Sequence, residues 1–310
     1  MRSAIRKQFG LVNAIGNTPL VELTNLNHNP AVKVYAKLEG SNPGGSVKDR
    51  AALFMINKGE RTGELTKDKT IVEATSGNMG IALAMSGTVK GYRVKLFMPE
   101  CVSQERRRVL EAFGADLVLT PAKEVTDGAI RRAREFVDQE PGKYFLPDQF
   151  SNEANVMAHY TTTGPEILTQ TDGEVDMFVA GMGTTGTLMG VSKFLKENKP
   201  GIKIIGVEPT PGHSIQGLKN MTEAIVPKIY DPSALDEKIN IEDDDAYETS
   251  RLLASKEGLF VGMSSGAAVA IALRLARSMR RGTIVTLLPD RGDRYLSTSL
   301  FRSICAHCPP

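Results

Sequence analysis

The sequence predicts an α/β fold with mostly parallel sheets. Strand-length apolar runs alternate with amphipathic helical stretches almost from end to end. Most of those runs lack polar alternation, as expected of strands covered on both faces. Small, glycine-rich loops also recur where a strand run gives way to a helix.

In chain order, strands are expected at 32–39, 70–74, 93–99, 115–120, 177–180, 202–208 and 283–289. Helices are expected at 103–113, 125–139, 187–198 and 265–281. A further helix should begin after the Pro-Gly-Gly turn of EGSNPGGSVKDR (39–50), with Ser46 as its N-cap and Lys48 in its first turn. The EDDD run at 242–245 should complement another helix N-terminus. Domain crossings are read at 39–46 and around 146–155. They divide the chain into a larger unit, 1–40 with 152–310, and a smaller inserted unit, 41–151. A ligand cleft is expected between them.

Composition is that of a soluble globular chain: 310 residues, 41% hydrophobic and 24% charged. Lys and Arg number 38 against 36 Asp and Glu, a net +2, so no field steers the protein toward nucleic acid. The basic runs ERRR (105–108) and RRAR (131–134) read as solvated helix faces. The N-terminus has no apolar segment of the secretory kind, and the run at 267–273 is too short to cross a bilayer. Three cysteines make no disulfide framework, which fits a cytoplasmic location. The tail pair Cys305 and Cys308 reads as inert thiols, with sulfur relay as the alternative, and no metal site is expected.

The loop GMGTTGT invites a first functional reading. Gly181, Gly183 and Gly186 spell G-x-G-x-x-G between a strand and a helix, and Glu208 ends the next strand where a ribose-binding acid would stand. That alone would suggest an NAD-binding oxidoreductase. Two further loops, EATSGNMGIALA (73–84) and VGMSSGAA (261–268), also place small polar residues at helix entrances suited to anions. Lys48 is electrostatically misplaced at a helix N-terminus. It is either a solvated cation or an amine held neutral for nucleophilic work.

NPGGSVKDR, EATSGNMGIALA, GMGTTGT, VGMSSGAA and DRGDRYLST, in this order, resemble the cysteine synthase (O-acetylserine sulfhydrylase) family, fold-type II pyridoxal phosphate enzymes. AHYTTTGPEI (158–167) and GDRYLS are most similar to its B type. The resemblance implies two three-layer α/β domains of the tryptophan synthase β kind. The larger would anchor the cofactor phosphate, and the smaller would be mobile and bind substrate. It implies pyridoxal 5'-phosphate on Lys48, which also acts as general base. Gly183, Thr184, Thr185, Gly186 and Thr187 would form the phosphate cup. Asn78 would meet the ring hydroxyl, and Ser264 the ring nitrogen. Thr75, Ser76, Gly77, Asn78, Met79 and Gln149 would take the substrate carboxylate, with Met79 standing where a threonine is usual.

The implied reaction replaces the acetoxy group of O-acetyl-L-serine by sulfide, through an α-aminoacrylate, in a homodimer. Thiosulfate is a further candidate donor. The thiosulfate-using B enzymes carry arginines and a tryptophan at the cleft mouth, where this chain has Lys219, Asn220 and Met221. A related subgroup takes O-phosphoserine and a thiocarboxylated sulfur-carrier protein, and Lys219 matches its basic residue. Cystathionine β-synthase shares the lysine and the cup. No nucleic-acid or membrane partner is implied.

Overall fold

The computed structural model describes residues 10–75 and 77–301. Its strands form two sheets. The six-stranded sheet has the order β1 (Leu20–Glu22), β2 (Val32–Leu38), β10 (Gly282–Leu288), β7 (Met177–Gly181), β8 (Lys203–Pro209), β9 (Glu237–Ile241). Only β1 runs antiparallel to its neighbour. The four-stranded sheet is wholly parallel, in the order β5 (Asp116–Thr120), β4 (Arg93–Pro99), β3 (Thr70–Ala74), β6 (Tyr144–Phe145). All its strands lie in sequence between β2 and β7, so the smaller sheet interrupts the larger.

Period-two burial explains why both sheets need helices on both sides. In the larger sheet, Val179, Ile284 and Leu288 join a core under α8 (Asp243–Glu257) and α9 (Met263–Ser278). Their neighbours Phe178, Ala180, Val285 and Leu287 pack on the opposite face with Leu188, Val191 and Leu195 of α7 (Gly186–Asn198). In the smaller sheet, Ile71 faces α1 (Lys48–Thr62) and α2 (Asn78–Lys90). Val72 and Ala74 face Ala129, Ile130 and Ala133 of α4 (Val125–Gln139). Helix α3 is Gln104–Ala112. The stretch between the sheets is helical too: α5 (Glu153–Ala158), a π-helical turn (His159–Thr163) and α6 (Gly164–Gln170).

The seven long strands read from the sequence are present within one residue or so at each end. The helix expected at 265–281 starts two residues earlier and ends at Ser278. Ser46 is not the N-cap of α1. Val47 holds that position, while the Ser46 hydroxyl accepts the Lys48 N–H at 3.3 Å. No described helix is long and apolar enough to cross a membrane.

Candidate active site

A cavity of about 660 Å³ opens between the two sheets, at the C-terminal ends of β3, β7 and β10. Lys48, Thr184 and Ser264 line its floor, and Thr75, Asn78 and Gln149 line the side formed by the smaller sheet. The general expectation for parallel sheets is met: ligands sit beyond the carboxyl ends of strands, where helix N-termini converge.

Lys48 owes its position to the preceding turn. The Val47 N–H donates to Pro289 O at 2.8 Å, and Ser46 forms a bridge with Asp290, so the chain entering α1 is pinned to the end of β10. The buried Asp49 carboxylate accepts the Gly44 N–H at 2.5 Å and fastens the Pro-Gly-Gly turn. Lys48 Nζ then reaches the Thr184 hydroxyl at 3.3 Å. Burial pulls the Lys48 ammonium down to about 8, with the Asp290 charge opposing it. The misplaced lysine is therefore an amine whose neutral form is far more accessible near neutral pH than an ordinary lysine's, and it lines the cavity.

Residues 183–187 form a concave backbone element at the start of α7. Thr185 is left-handed at φ 66°, and the first helical N–H groups that follow have no partners within the helix. Such a turn concentrates N–H groups on a single anion. The cup is closely backed. Asn155 Nδ2 donates to Thr184 Oγ1 at 3.1 Å and to Gln149 O at 2.9 Å. His159 Nε2 lies 3.2 Å from Thr187 Oγ1, and its Nδ1 lies 2.8 Å from Thr163 Oγ1. Burial, with the positive charges of Arg50 and Lys48, holds His159 well below the usual imidazole range, so it is neutral. A Cβ at Gly183 would lie 2.4 Å from Gly217 O, and one at Gly186 only 2.2 Å from Asn155 Oδ1. Backbone alone can occupy this cradle, and its N–H groups suit an anion such as a phosphate.

Across the cavity, Thr75 Oγ1 accepts the N–H groups of Gly77 and Gly80, at 2.9 and 3.2 Å, fixing the loop into α2. Gln149 Nε2 donates to Ala74 O at 2.9 Å, leaving one amide hydrogen for a ligand. The buried Glu73 carboxyl accepts the N–H groups of Ala74 and Gln149, and burial pushes it up to about 8. Met79 lines the cavity while its side chain belongs to the core under α2. Gly77 lies behind this wall, and Ser76 lies outside the described residues, as do Cys305 and Cys308.

Asn78 reaches the cavity with both ends of its amide already engaged. Nδ2 donates to Asp290 Oδ2 at 2.6 Å, and Oδ1 accepts from Arg294 Nη1 at 2.5 Å. Lys219 stands at the mouth with its ammonium on Asp127 Oδ1 at 2.9 Å. Glu208 is no ribose ligand here. It accepts the Met221 N–H at 2.8 Å and pairs with Lys238.

A second sequence expectation also fails. Arg106, in the run read as a solvated face, is 2% exposed. Its Nη1 donates to Gln216 Oε1 at 2.6 Å and its Nη2 to the Tyr295 hydroxyl at 2.7 Å, with Asp290 at 3.7 Å. Arg106 and Leu110, four residues apart, share the inward face of α3, a spacing that charge counting ignores. Arg108 and Arg131 are exposed, as expected. Asp290, Arg294, Tyr295, Asn155 and His159 support the site but received no role from the sequence, although DRGDRYLST and AHYTTTGPEI contain four of them. Among the described residues, no cluster of His, Cys, Asp and Glu could hold a metal.

The family described as pyridoxal-phosphate dependent enzyme matches residues 11–290. Cysteine synthase B of Salmonella typhimurium is 49% identical over 291 residues, covering 94% of this chain and 95% of that protein. The crystal structure of cysteine synthase from Entamoeba histolytica superposes with a TM-score of 0.89 at 41% identity, covering 94% and 90% of the two chains. An O-acetylserine-dependent cystathionine β-synthase from Helicobacter pylori gives 0.89 at 38%, covering 95% and 99%. The cradle that excludes side chains and the buried lysine beside it fit pyridoxal phosphate. With likeness over nearly the whole chain in both sequence and fold, this protein belongs to the pyridoxal-phosphate dependent enzymes, in their cysteine synthase branch.

Proposed function

We propose that the chain makes L-cysteine from O-acetyl-L-serine and sulfide, releasing acetate. One observation carries the site assignment: Lys48 Nζ stands 3.3 Å from the hydroxyl of Thr184, so the reactive amine and the phosphate cradle share one end of one cavity. Pyridoxal phosphate, when bound, supplies the electron sink that acidifies an amino acid's α-C–H and lets its β-substituent depart. The 183–187 backbone, with Thr184 and Thr187, holds the phosphate. Ser264, which lines the cavity, would offer the ring nitrogen a neutral hydroxyl, which does not keep a pyridine nitrogen protonated as a carboxylate would. β-Replacement is thereby favoured over transamination.

Thr75, Ser76, Gly77, Asn78, Met79 and Gln149 form the side that receives the substrate carboxylate, with the spare Gln149 amide hydrogen as a donor, since the Thr75 and Gly77 N–H groups are taken by Phe97 O and Thr75 Oγ1. Lys48 Nζ takes the α-proton while acetate leaves, and returns it once sulfur has bonded to Cβ. The sum balances: O-acetylserine and hydrogen sulfide give cysteine and acetic acid. Arg294 and Asp290 fix the Asn78 amide, whose remaining N–H would be the donor to the ring hydroxyl. Lys219 is the residue that would serve a phosphorylated serine or a charged donor. Its charge is spent on Asp127, which favours the acetoxy substrate.

The family likeness supports a cytoplasmic homodimer in which residues 41–151 move as the substrate-binding unit. The test offers the pyridoxal phosphate-loaded protein O-acetylserine or O-phosphoserine with sulfide, and O-acetylserine with homocysteine in place of sulfide. Cysteine formation from O-acetylserine at much the highest kcat/KM is expected. Preference for O-phosphoserine, or thioether formation from homocysteine outpacing cysteine formation, would reject the assignment.

A further inference from the structure

The cavity mouth is closed electrostatically by two side chains from opposite walls. Lys219 lies on the loop after β8, in the unit of the six-stranded sheet. Asp127 lies in the first turn of α4, on the four-stranded sheet. Their side chains are only 12% and 18% exposed, and Nζ meets Oδ1 at 2.9 Å. Each partner is fixed independently. The Lys219 N–H donates to Met182 O at 2.8 Å, next to the phosphate cradle, and its ammonium sits 5.1 Å from the Phe150 ring centroid. The second Asp127 oxygen accepts the Ile225 N–H at 2.9 Å.

Among the described residues, the other charged groups around the mouth bring no unpaired cation to it. The Arg106 guanidinium faces Asp290, and the Glu223 carboxylate accepts the Gly212 N–H at 2.9 Å. Burial holds His213 below its usual range, so it adds no cation at neutral pH. An incoming dianion therefore meets the Asp127 carboxylate on the cation that would attract it. A small sulfide has no such need.

We propose that Asp127 is a specificity-determining residue. By occupying the Lys219 ammonium it selects sulfide over dianionic sulfur donors of the thiosulfate class. The proposal rests on the cysteine synthase reading for its turnover arm, but not for its binding arm. With thiosulfate, the sulfane sulfur bonds to Cβ while the Cβ–O pair leaves with acetate, so O-acetylserine and thiosulfate give S-sulfocysteine and acetate in balance. Substituting one carboxylate beside a mostly desolvated ammonium changes attraction for a nearby dianion by roughly ten- to a hundred-fold.

Thiosulfate is the probe, in holoenzyme carrying pyridoxal phosphate. Calorimetry measures its binding, and steady-state kinetics measure the ratio of kcat/KM for thiosulfate to that for sulfide at saturating O-acetylserine. Asp127→Asn keeps an oxygen for the Ile225 N–H, and Asp127→Ser is a smaller second variant. In either, binding should tighten and the ratio rise by that factor, and adding Lys219→Gln should abolish both gains. Unchanged binding and ratio, or gains that survive Lys219→Gln, would overturn the proposal. Tighter binding without O-acetylserine turnover would uphold the masking and reject the cysteine synthase reading. Normal sulfide turnover with no change in thiosulfate binding would do the reverse.

Discussion

Gly183→Ala perturbs the cradle with one methyl group. The new Cβ would fall 2.4 Å from Gly217 O, a backbone atom that cannot swing aside as a side-chain tip can. An ordinary contact needs about 3.4 Å, so the cup or the 213–221 loop must move by about an ångström, and small-to-large changes at packed sites cost about 1–3 kcal/mol. If that cost falls on the phosphate-binding geometry, pyridoxal phosphate affinity drops roughly 5- to 150-fold. Titrating apoprotein with the cofactor and following visible absorbance reads the loss directly. Melting the apoproteins separates it from general destabilisation. Gly142→Ala, where an added Cβ meets nothing within 4 Å, is the control and should bind as wild type does. Wild-type cofactor affinity in Gly183→Ala would refute the assignment of this loop to the phosphate.

Three further outcomes follow from the same geometry. Gly77 has φ 140°, and its Cβ would strike Arg106 Cδ at 2.4 Å, so Gly77→Ala should raise the KM for O-acetylserine about tenfold or more while cofactor affinity changes little. The rate of cofactor capture by apoprotein should rise through pH about 8, since burial lowers the Lys48 ammonium to there and only the neutral amine attacks; stopped-flow absorbance showing a midpoint near 10.5 would count against this. The Glu73 carboxyl is raised to about 8 against an ordinary 4.5, so the folded chain holds an extra proton between those values and stability falls as pH rises across that window. Glu73→Gln should melt lower at pH 5 through loss of one amide bond, yet show a flatter melting profile from pH 5 to 8.

The continuous apolar strands β3, β4, β7, β8 and β10 were legible because burial on both faces leaves a pattern that needs no partner to interpret. Strand β9, Glu237–Ile241, sits at a sheet edge and offers only two isoleucines after a pair of charges, while β6 is two residues long; neither stands out locally. The site was legible wherever function needs special backbone. Gly183, Thr184, Thr185, Gly186 and Thr187, with Lys48, Thr75, Asn78, Gln149 and Ser264, all come together around one cavity or directly behind it. What the sequence hid were partnerships between distant residues. The carboxylate at 290 joins Asn78, Tyr295 and Arg106 across the cleft, and no local spacing announces such a contact. The G-x-G-x-x-G loop kept its anion-binding physics and lost its dinucleotide label, because Glu208 is turned to Met221 and Lys238.

The central claim is that the amine of Lys48 and the 183–187 cradle hold one pyridoxal phosphate. Holoenzyme reduced with borohydride and digested for peptide mass mapping tests it directly. A single pyridoxyl group on Lys48 is expected, and none after reduction of Lys48→Ala. A pyridoxyl group on any other lysine of an active wild-type enzyme would contradict it.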